Sequence, residues 1–175
     1  IFAMNPDGSE RQRLADFPGN EFTIDVSPDR TRILFGSEMD QPFSADILVM
    51  DVDGSNLRNL TAGGAGGQQA QGRWSPDGAR IVYRSNQDGN FEIYVMDAEA
   101  TNKRRLTNHP AVDQMPAWSP DGRQIVFQSH RNSMIGLYIM NADGTGLELV
   151  GEDIDLPDWS PARDKILGAA IVPGS

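Results

Sequence analysis

The chain has 175 residues, 38% of them hydrophobic, and carries a formal net charge of −10 at pH 7. This length and composition suffice for one domain with its own hydrophobic core. The acidic balance argues against a nucleic-acid partner, because binding to phosphates needs a basic surface. No apolar run approaches the roughly 20 residues that span a bilayer, so we expect no membrane insertion. The absence of cysteine excludes disulfides and thiolate metal sites.

Four short apolar segments that end in methionine recur along the chain. They are residues 1–4, 47–50, 93–96 and 137–140, and each is followed by a short turn. Ten residues after each methionine stands an apolar residue that closes the next strand, namely Leu14, Leu60, Leu106 and Val150. The constant spacing predicts a hairpin of fixed length in every copy.

A second motif, Trp-Ser-Pro-Asp-Gly, leads into a run of β-branched and aromatic residues. It stands at 74–78 and 118–122, and altered copies stand at 26–30 and 159–163. In all four copies an isoleucine follows the serine by six residues. Proline presets the backbone angle of the turn, and glycine tolerates the left-handed conformation that closes a short hairpin. The motif therefore predicts a second tight hairpin with a buried strand after it.

Each repeat thus contains four strands, which we name a, b, c and d in chain order. The a–b and c–d turns have the same length in every copy, whereas the d–a and b–c connections differ in length. In an antiparallel up-and-down sheet, the two constant turns emerge on one face and the two variable connections on the other. We name these the uniform face and the irregular face. Variable loops on a rigid scaffold are where binding sites are usually built, which favours the irregular face.

Repeated four-stranded units of this length are typical of a β-propeller, so the sequence predicts an all-β fold of four-stranded antiparallel blades. The N-terminus supplies only strands c and d, and the C-terminus supplies only a and b. We expect residues 166–172 to pair with residues 1–4 and to close a four-bladed ring, because this pairing removes two exposed sheet edges. The single domain 1–175 would then consist of blades at 1–15 with 155–175, 21–61, 70–107 and 114–150.

The segment from Trp74 to Thr107 resembles the repeat of TolB-type propellers. It contains the Trp-Ser-Pro-Asp-Gly turn, Asp-Gly-Asn before strand c, and Ile-Tyr-Val-Met-Asp at the end of strand c. The resemblance extends over essentially the whole chain, and it implies a periplasmic or secreted location. Propellers of this family commonly have six or seven blades. Three arrangements therefore stay open: a true four-bladed ring, a piece of a larger ring, or a half-ring that pairs with a second copy.

The irregular face is expected to carry the side chains on which a binding site would depend. His109 and His130 stand on loops of neighbouring repeats and could in principle hold a metal or exchange protons. Two nitrogen ligands are too few for a typical metal site, and the Asp-rich turn at 51–56 lacks the distal ligands of a calcium loop. We therefore expect no metal, no cofactor and no catalytic residue. The candidate binding residues are Arg73, Arg84, His109, Asp113, Gln114, Gln128, His130 and Arg131.

These observations favour a non-catalytic module that binds a protein or peptide partner through the irregular face. A rigid repeat scaffold with variable loops, and with no nucleophile elbow or phosphate-binding loop, supports this hypothesis. One alternative is the propeller domain of an enzyme, by analogy with serine peptidase accessory domains and polysaccharide lyases. Another is a fragment of a larger propeller. We expect the chain to be a monomer.

Overall fold

A computed structural model describes residues 1–17, 19–38, 44–62, 67–131, 134–160, 162 and 165–170. In these residues, sixteen β-strands form five antiparallel sheets, three with four strands and two with two strands. None of the described residues belongs to a helix that is long and apolar enough to cross a membrane. The prediction of an all-β fold with four-stranded antiparallel blades is confirmed.

The sheets follow one another along the chain, and sequence neighbours pair within each sheet. The N-terminal half-blade contains β1 (Phe2–Ala3) and β2 (Gln12–Arg13). Blade 1 contains β3 (Glu21–Val26), β4 (Arg32–Ser37), β5 (Asp46–Asp51) and β6 (Arg58–Asn59). Blade 2 contains β7 (Gln69–Trp74), β8 (Arg80–Ser85), β9 (Glu92–Asp97) and β10 (Arg104–Arg105). Blade 3 contains β11 (Asp113–Trp118), β12 (Gln124–Ser129), β13 (Gly136–Asn141) and β14 (Glu148–Glu152). The C-terminal half-blade contains β15 (Ile154–Trp159) and β16 (Ile166–Ala170).

The Ser-Pro-Asp-Gly segments form the turns between strands a and b. In the copy at 119–122, the Ser119 hydroxyl donates to Asp121 Oδ1 at 2.7 Å and accepts from the Gln124 backbone N–H at 2.9 Å. The Gly122 N–H donates to the Ser119 carbonyl at 2.8 Å, and Gly122 has a φ of 69°. Local hydrogen bonds and a left-handed glycine therefore hold this hairpin, as the motif predicts.

The hydrophobic core consists of clusters that lie between neighbouring blades. Trp74 of blade 2 belongs to a cluster with Leu34 and Ile47 of blade 1. Trp118 of blade 3 belongs to the next cluster, together with Val82 of blade 2. Each of these tryptophans is almost fully buried, because its large ring fills the space where two twisted sheets diverge.

Strand a of every blade contains a β-bulge at the same place, in β3, β7, β11 and β15. At each bulge one residue other than glycine lies in the left-handed region. The φ angle is 51° at Thr23, 56° at Gln71, 55° at Met115 and 53° at Leu156. Four side chains of different types share this strained conformation, so the packing of the blades imposes it.

The two half-blades flank the three complete blades. Ile1 packs with Ile33 and Met50 of blade 1, and β15 contacts the strands of blade 3. The ladder expected between residues 166–172 and 1–4 is absent from the described residues, in which β1 pairs only with β2 and β16 only with β15. Residues 171 and 172 lie outside the described residues. Each half-blade is held by the complete blade next to it in the chain, and the closure of a four-bladed ring is not confirmed.

Candidate functional site

Three of the candidate side chains form a hydrogen-bonded chain across blades 2 and 3. Arg84 lies near the end of β8, Gln114 near the start of β11 and Gln128 near the end of β12. Arg84 Nη1 donates to Gln114 Oε1 at 2.7 Å, and Gln114 Nε2 donates to Gln128 Oε1 at 2.6 Å. The Arg84 Cζ atom lies 4.3 Å from the centroid of the Phe91 ring. The strand ends of two blades therefore hold these groups in one arrangement beside the irregular face.

Two further candidates form a buried ion pair in blade 3. Arg131 Nη2 lies 2.7 Å from Asp113 Oδ2, and the Ser129 hydroxyl donates to Asp113 Oδ1 at 2.6 Å. Burial raises the pKa of Asp113 above its ordinary value, while the bonds from Arg131 and Ser129 act in the opposite direction. The Arg131 guanidinium also lies over the ring of Tyr138, with 5.2 Å between Cζ and the centroid. These contacts fix Arg131 at the edge of the irregular face.

The two histidines lie at the irregular face but make different contacts. The His109 backbone N–H donates to the buried Glu92 carboxylate at 2.7 Å, and the ring atom His109 Nδ1 accepts from the Ala111 backbone N–H at 3.1 Å. His130 is exposed, and its backbone N–H donates to the Val112 carbonyl at 3.0 Å. Within the described ranges, no group of three or more His, Asp or Glu side chains could hold a metal ion.

Arg73 does not lie with the other candidates on the irregular face. Strand β7 begins at Gln69, on the side of the irregular face. Arg73 directly precedes Trp74, the last residue of β7, and therefore lies near the opposite end, which leads to the uniform face. Its side chain lines a cavity of about 280 Å³ between the innermost strands. The bulge residues of all four a strands line the same cavity, namely Thr23, Gln71, Met115 and Leu156.

Sequence reasoning missed Glu92, which organises a loop of the irregular face. The fully buried Glu92 carboxylate accepts from the Thr107 hydroxyl at 2.5 Å and from Arg105 Nη2 at 2.8 Å. Blade 1 repeats the arrangement, since the Thr61 hydroxyl donates to Asp46 Oδ1 at 2.8 Å. An acid at the start of strand c, followed by a threonine after strand d, is the signal that could have identified it. These bonds hold the loop that contains His109.

The sequence is similar to proteins of one family. Residues 65–171 match the TolB beta propeller domain. The Tol-Pal system protein TolB of Roseobacter denitrificans is 35% identical over 109 residues, which are 60% of this chain and 24% of that protein.

Solved structures share the same fold. TolB from Acinetobacter baumannii matches with a TM-score of 0.81 and 21% identity, over 94% of this chain and 41% of that chain. An oligogalacturonate lyase in complex with manganese matches with a TM-score of 0.70 and 20% identity, over 98% of this chain and 50% of that chain. Identities this low show the fold alone, so the lyase gives no argument for catalysis. The chain spans half or less of each of these relatives. Because the family model matches more than half of its residues, the chain belongs to the TolB beta propeller domain family.

Proposed function

We propose that the chain is a non-catalytic propeller module that binds a protein or peptide partner through its irregular face. The observation that carries this proposal is the hydrogen-bonded chain of Arg84, Gln114 and Gln128 across two blades. Side chains held in place before binding lose little conformational entropy when a partner arrives. Strand ends are also more rigid than loop tips, so the donors and acceptors keep their geometry.

The likeness to a named relative supports a protein partner. The Roseobacter denitrificans protein is named as a component of the Tol-Pal system. We extend this role to the present chain, together with a periplasmic or secreted location and a monomeric state. The net charge of −10 supports a partner other than nucleic acid.

Isothermal titration calorimetry of the full chain tests the proposal, with each soluble component of the Roseobacter denitrificans Tol-Pal system as the probe. We expect one component to bind. His130→Glu should weaken that binding at least about tenfold, because a new carboxylate on the irregular face must be desolvated in the complex. Ala79→Glu introduces the same charge at an exposed turn of the uniform face and should leave the binding unchanged.

The same titrations define the results that contradict the proposal. Binding that survives His130→Glu and is lost in Ala79→Glu would assign the interface to the uniform face. If the unmodified chain bound none of the components, the proposal would lose the protein partner on which it depends.

A further inference from the structure

We infer that Arg84 recognises a carboxylate group of the bound partner. This inference rests on the proposed function, and it names the chemistry that the irregular face would select. Arg84 is a partly buried cation that the described part of the chain leaves without an opposite charge. Arg131 and Arg105 are also partly buried, and each of them has a carboxylate partner, Asp113 and Glu92 respectively.

The surroundings of Arg84 orient its guanidinium without neutralising it. The hydrogen bond to Gln114 Oε1 and the ring of Phe91 are neutral contacts. The Nε atom is buried and has no hydrogen-bond partner among the described residues. Burial also lowers the pKa of Arg84, since the charged form is removed from water. A cation in this state destabilises the free protein, and an anion beside its guanidinium would relieve part of the cost.

Comparison of the four repeats shows that the fold does not need an arginine here. The strand-b position of Arg84 is occupied by Gly36, Gln128 and Ala169 in the other repeats. In blade 1, a Cβ at Gly36 would lie 2.5 Å from the ring of Phe22, the residue that pairs with it. The ladder between strands a and b therefore contains a different pair of residues at this position in each of the four repeats. The core Ile–Met pairs between strands b and c, by contrast, are the same in all three complete blades.

A carboxylate fits the donors that Arg84 presents. A guanidinium offers planar, parallel N–H groups that match a carboxylate in two-point hydrogen bonding. Gln114 contributes to this geometry because Gln128 holds its amide, so the guanidinium is oriented before binding. The negative charge of the whole protein opposes anions at long range, and the contact must therefore be short and local. The carboxylate could belong to an Asp or Glu side chain of the partner or to its C-terminus.

Nuclear magnetic resonance of the full chain tests recognition directly, through the arginine Nε–Hε signal that disappears in Arg84→Gln. The probes are N-acetylglutamate α-amide, which carries a side-chain carboxylate, and N-acetylalanine, which carries a terminal one. We expect the Arg84 signal to shift saturably with at least one of them, and the one that binds more tightly identifies the source. N-acetylglutamine amide is the neutral control. Absence of a shift with both acids, or an equal shift with the neutral compound, would overturn the inference.

Partner binding provides the second measurement. Arg84→Gln installs the residue that blade 3 carries at this position, so the thermal midpoint should stay equal or rise. Binding of the Tol-Pal component should weaken at least about tenfold, since one end of an ion pair is removed. Arg123→Gln removes the same charge from the exposed uniform face and should change nothing. Equal binding by Arg84→Gln and the unmodified chain would overturn the inference and leave the proposed function intact.

Discussion

At the scale of single residues, the aspartates of the a–b turns stabilise the hairpins by accepting several hydrogen bonds each. Asp29 Oδ1 accepts from the Ser27 hydroxyl at 2.6 Å, the Thr31 hydroxyl at 2.8 Å and the Thr31 N–H at 3.1 Å. These bonds favour the ionised carboxylate and lower its pKa from 3.8 to about 2, with the bond from Ser27 as the largest cause. Asp77 has a lowered pKa for the same reason. The turn aspartates therefore need no bound cation to explain their presence.

The Ser27→Ala variant tests this account of Asp29. The pKa of Asp29 should rise toward 3.8, because the hydroxyl that contributes most to its lowering is gone. In the unmodified chain, the stabilisation from this group is fully present above pH 3.8 and is lost as the pH falls through about 2. In the variant, the loss should occur at a higher pH. Titration of the carboxyl carbon by nuclear magnetic resonance measures the shift, and an unchanged pKa would contradict the assigned role of Ser27.

A second residue-scale prediction concerns Arg30, which has a φ of 62° at the turn position where other copies have Gly78 and Gly122. A side chain in the left-handed region costs on the order of 1 kcal/mol. Arg30→Gly should therefore raise the free energy of unfolding by a similar or smaller amount, measured by urea denaturation. Gly122→Arg should lower it. If neither variant changed the midpoint, conformational strain at this turn position would be ruled out.

At the scale of elements, the blades are joined through backbone N–H groups of the a strands. The Trp74 N–H donates to Asp25 Oδ2 at 2.8 Å, and the Met115 N–H donates to Gln71 Oε1 at 2.7 Å. Each bond connects strand a of one blade to strand a of the next. The bulge in β11 frees the Met115 N–H for its bond to Gln71, because a bulge interrupts the ladder with strand b.

Gln71→Ala should therefore destabilise the fold by about 1 kcal/mol, since the Met115 N–H loses its partner in the neighbouring blade. Urea denaturation measures this loss. Gln12→Ala, in the exposed strand β2, is the matched control and should have little effect. Equal midpoints for the two variants would show that the bond between β7 and β11 contributes nothing to stability.

The elements also show what the sequence could and could not predict. Strands b and c, the tight turns and the buried tryptophans follow from residue types that recur at constant spacing. The bulges do not, because Thr23, Gln71, Met115 and Leu156 share no residue type and adopt their backbone only within the assembled blades. The contact between Arg84 and Gln114 depends on the distance between two blades, which one repeat does not encode.

At the scale of the whole molecule, the two half-blades leave apolar side chains exposed at both ends of the chain. Phe2 is 46% exposed, Met4 is 55% exposed and Leu167 is 53% exposed. The four-bladed ring stays a prediction, and the alternatives to it are a larger ring and a pair of half-rings. The proposed site does not depend on this number, because its hydrogen-bonded side chains belong to blades 2 and 3.

Amide hydrogen exchange of the chain, alone and with its bound Tol-Pal component, tests the central claim most directly. If the partner binds the irregular face, the backbone amides of the connections at 86–91, 107–112 and 130–131 should exchange more slowly in the complex, because contact with the partner excludes water. The turns at 75–79 and 119–123 on the uniform face should exchange equally in both samples. Protection confined to those turns, with unchanged exchange in the connections, would contradict binding through the irregular face.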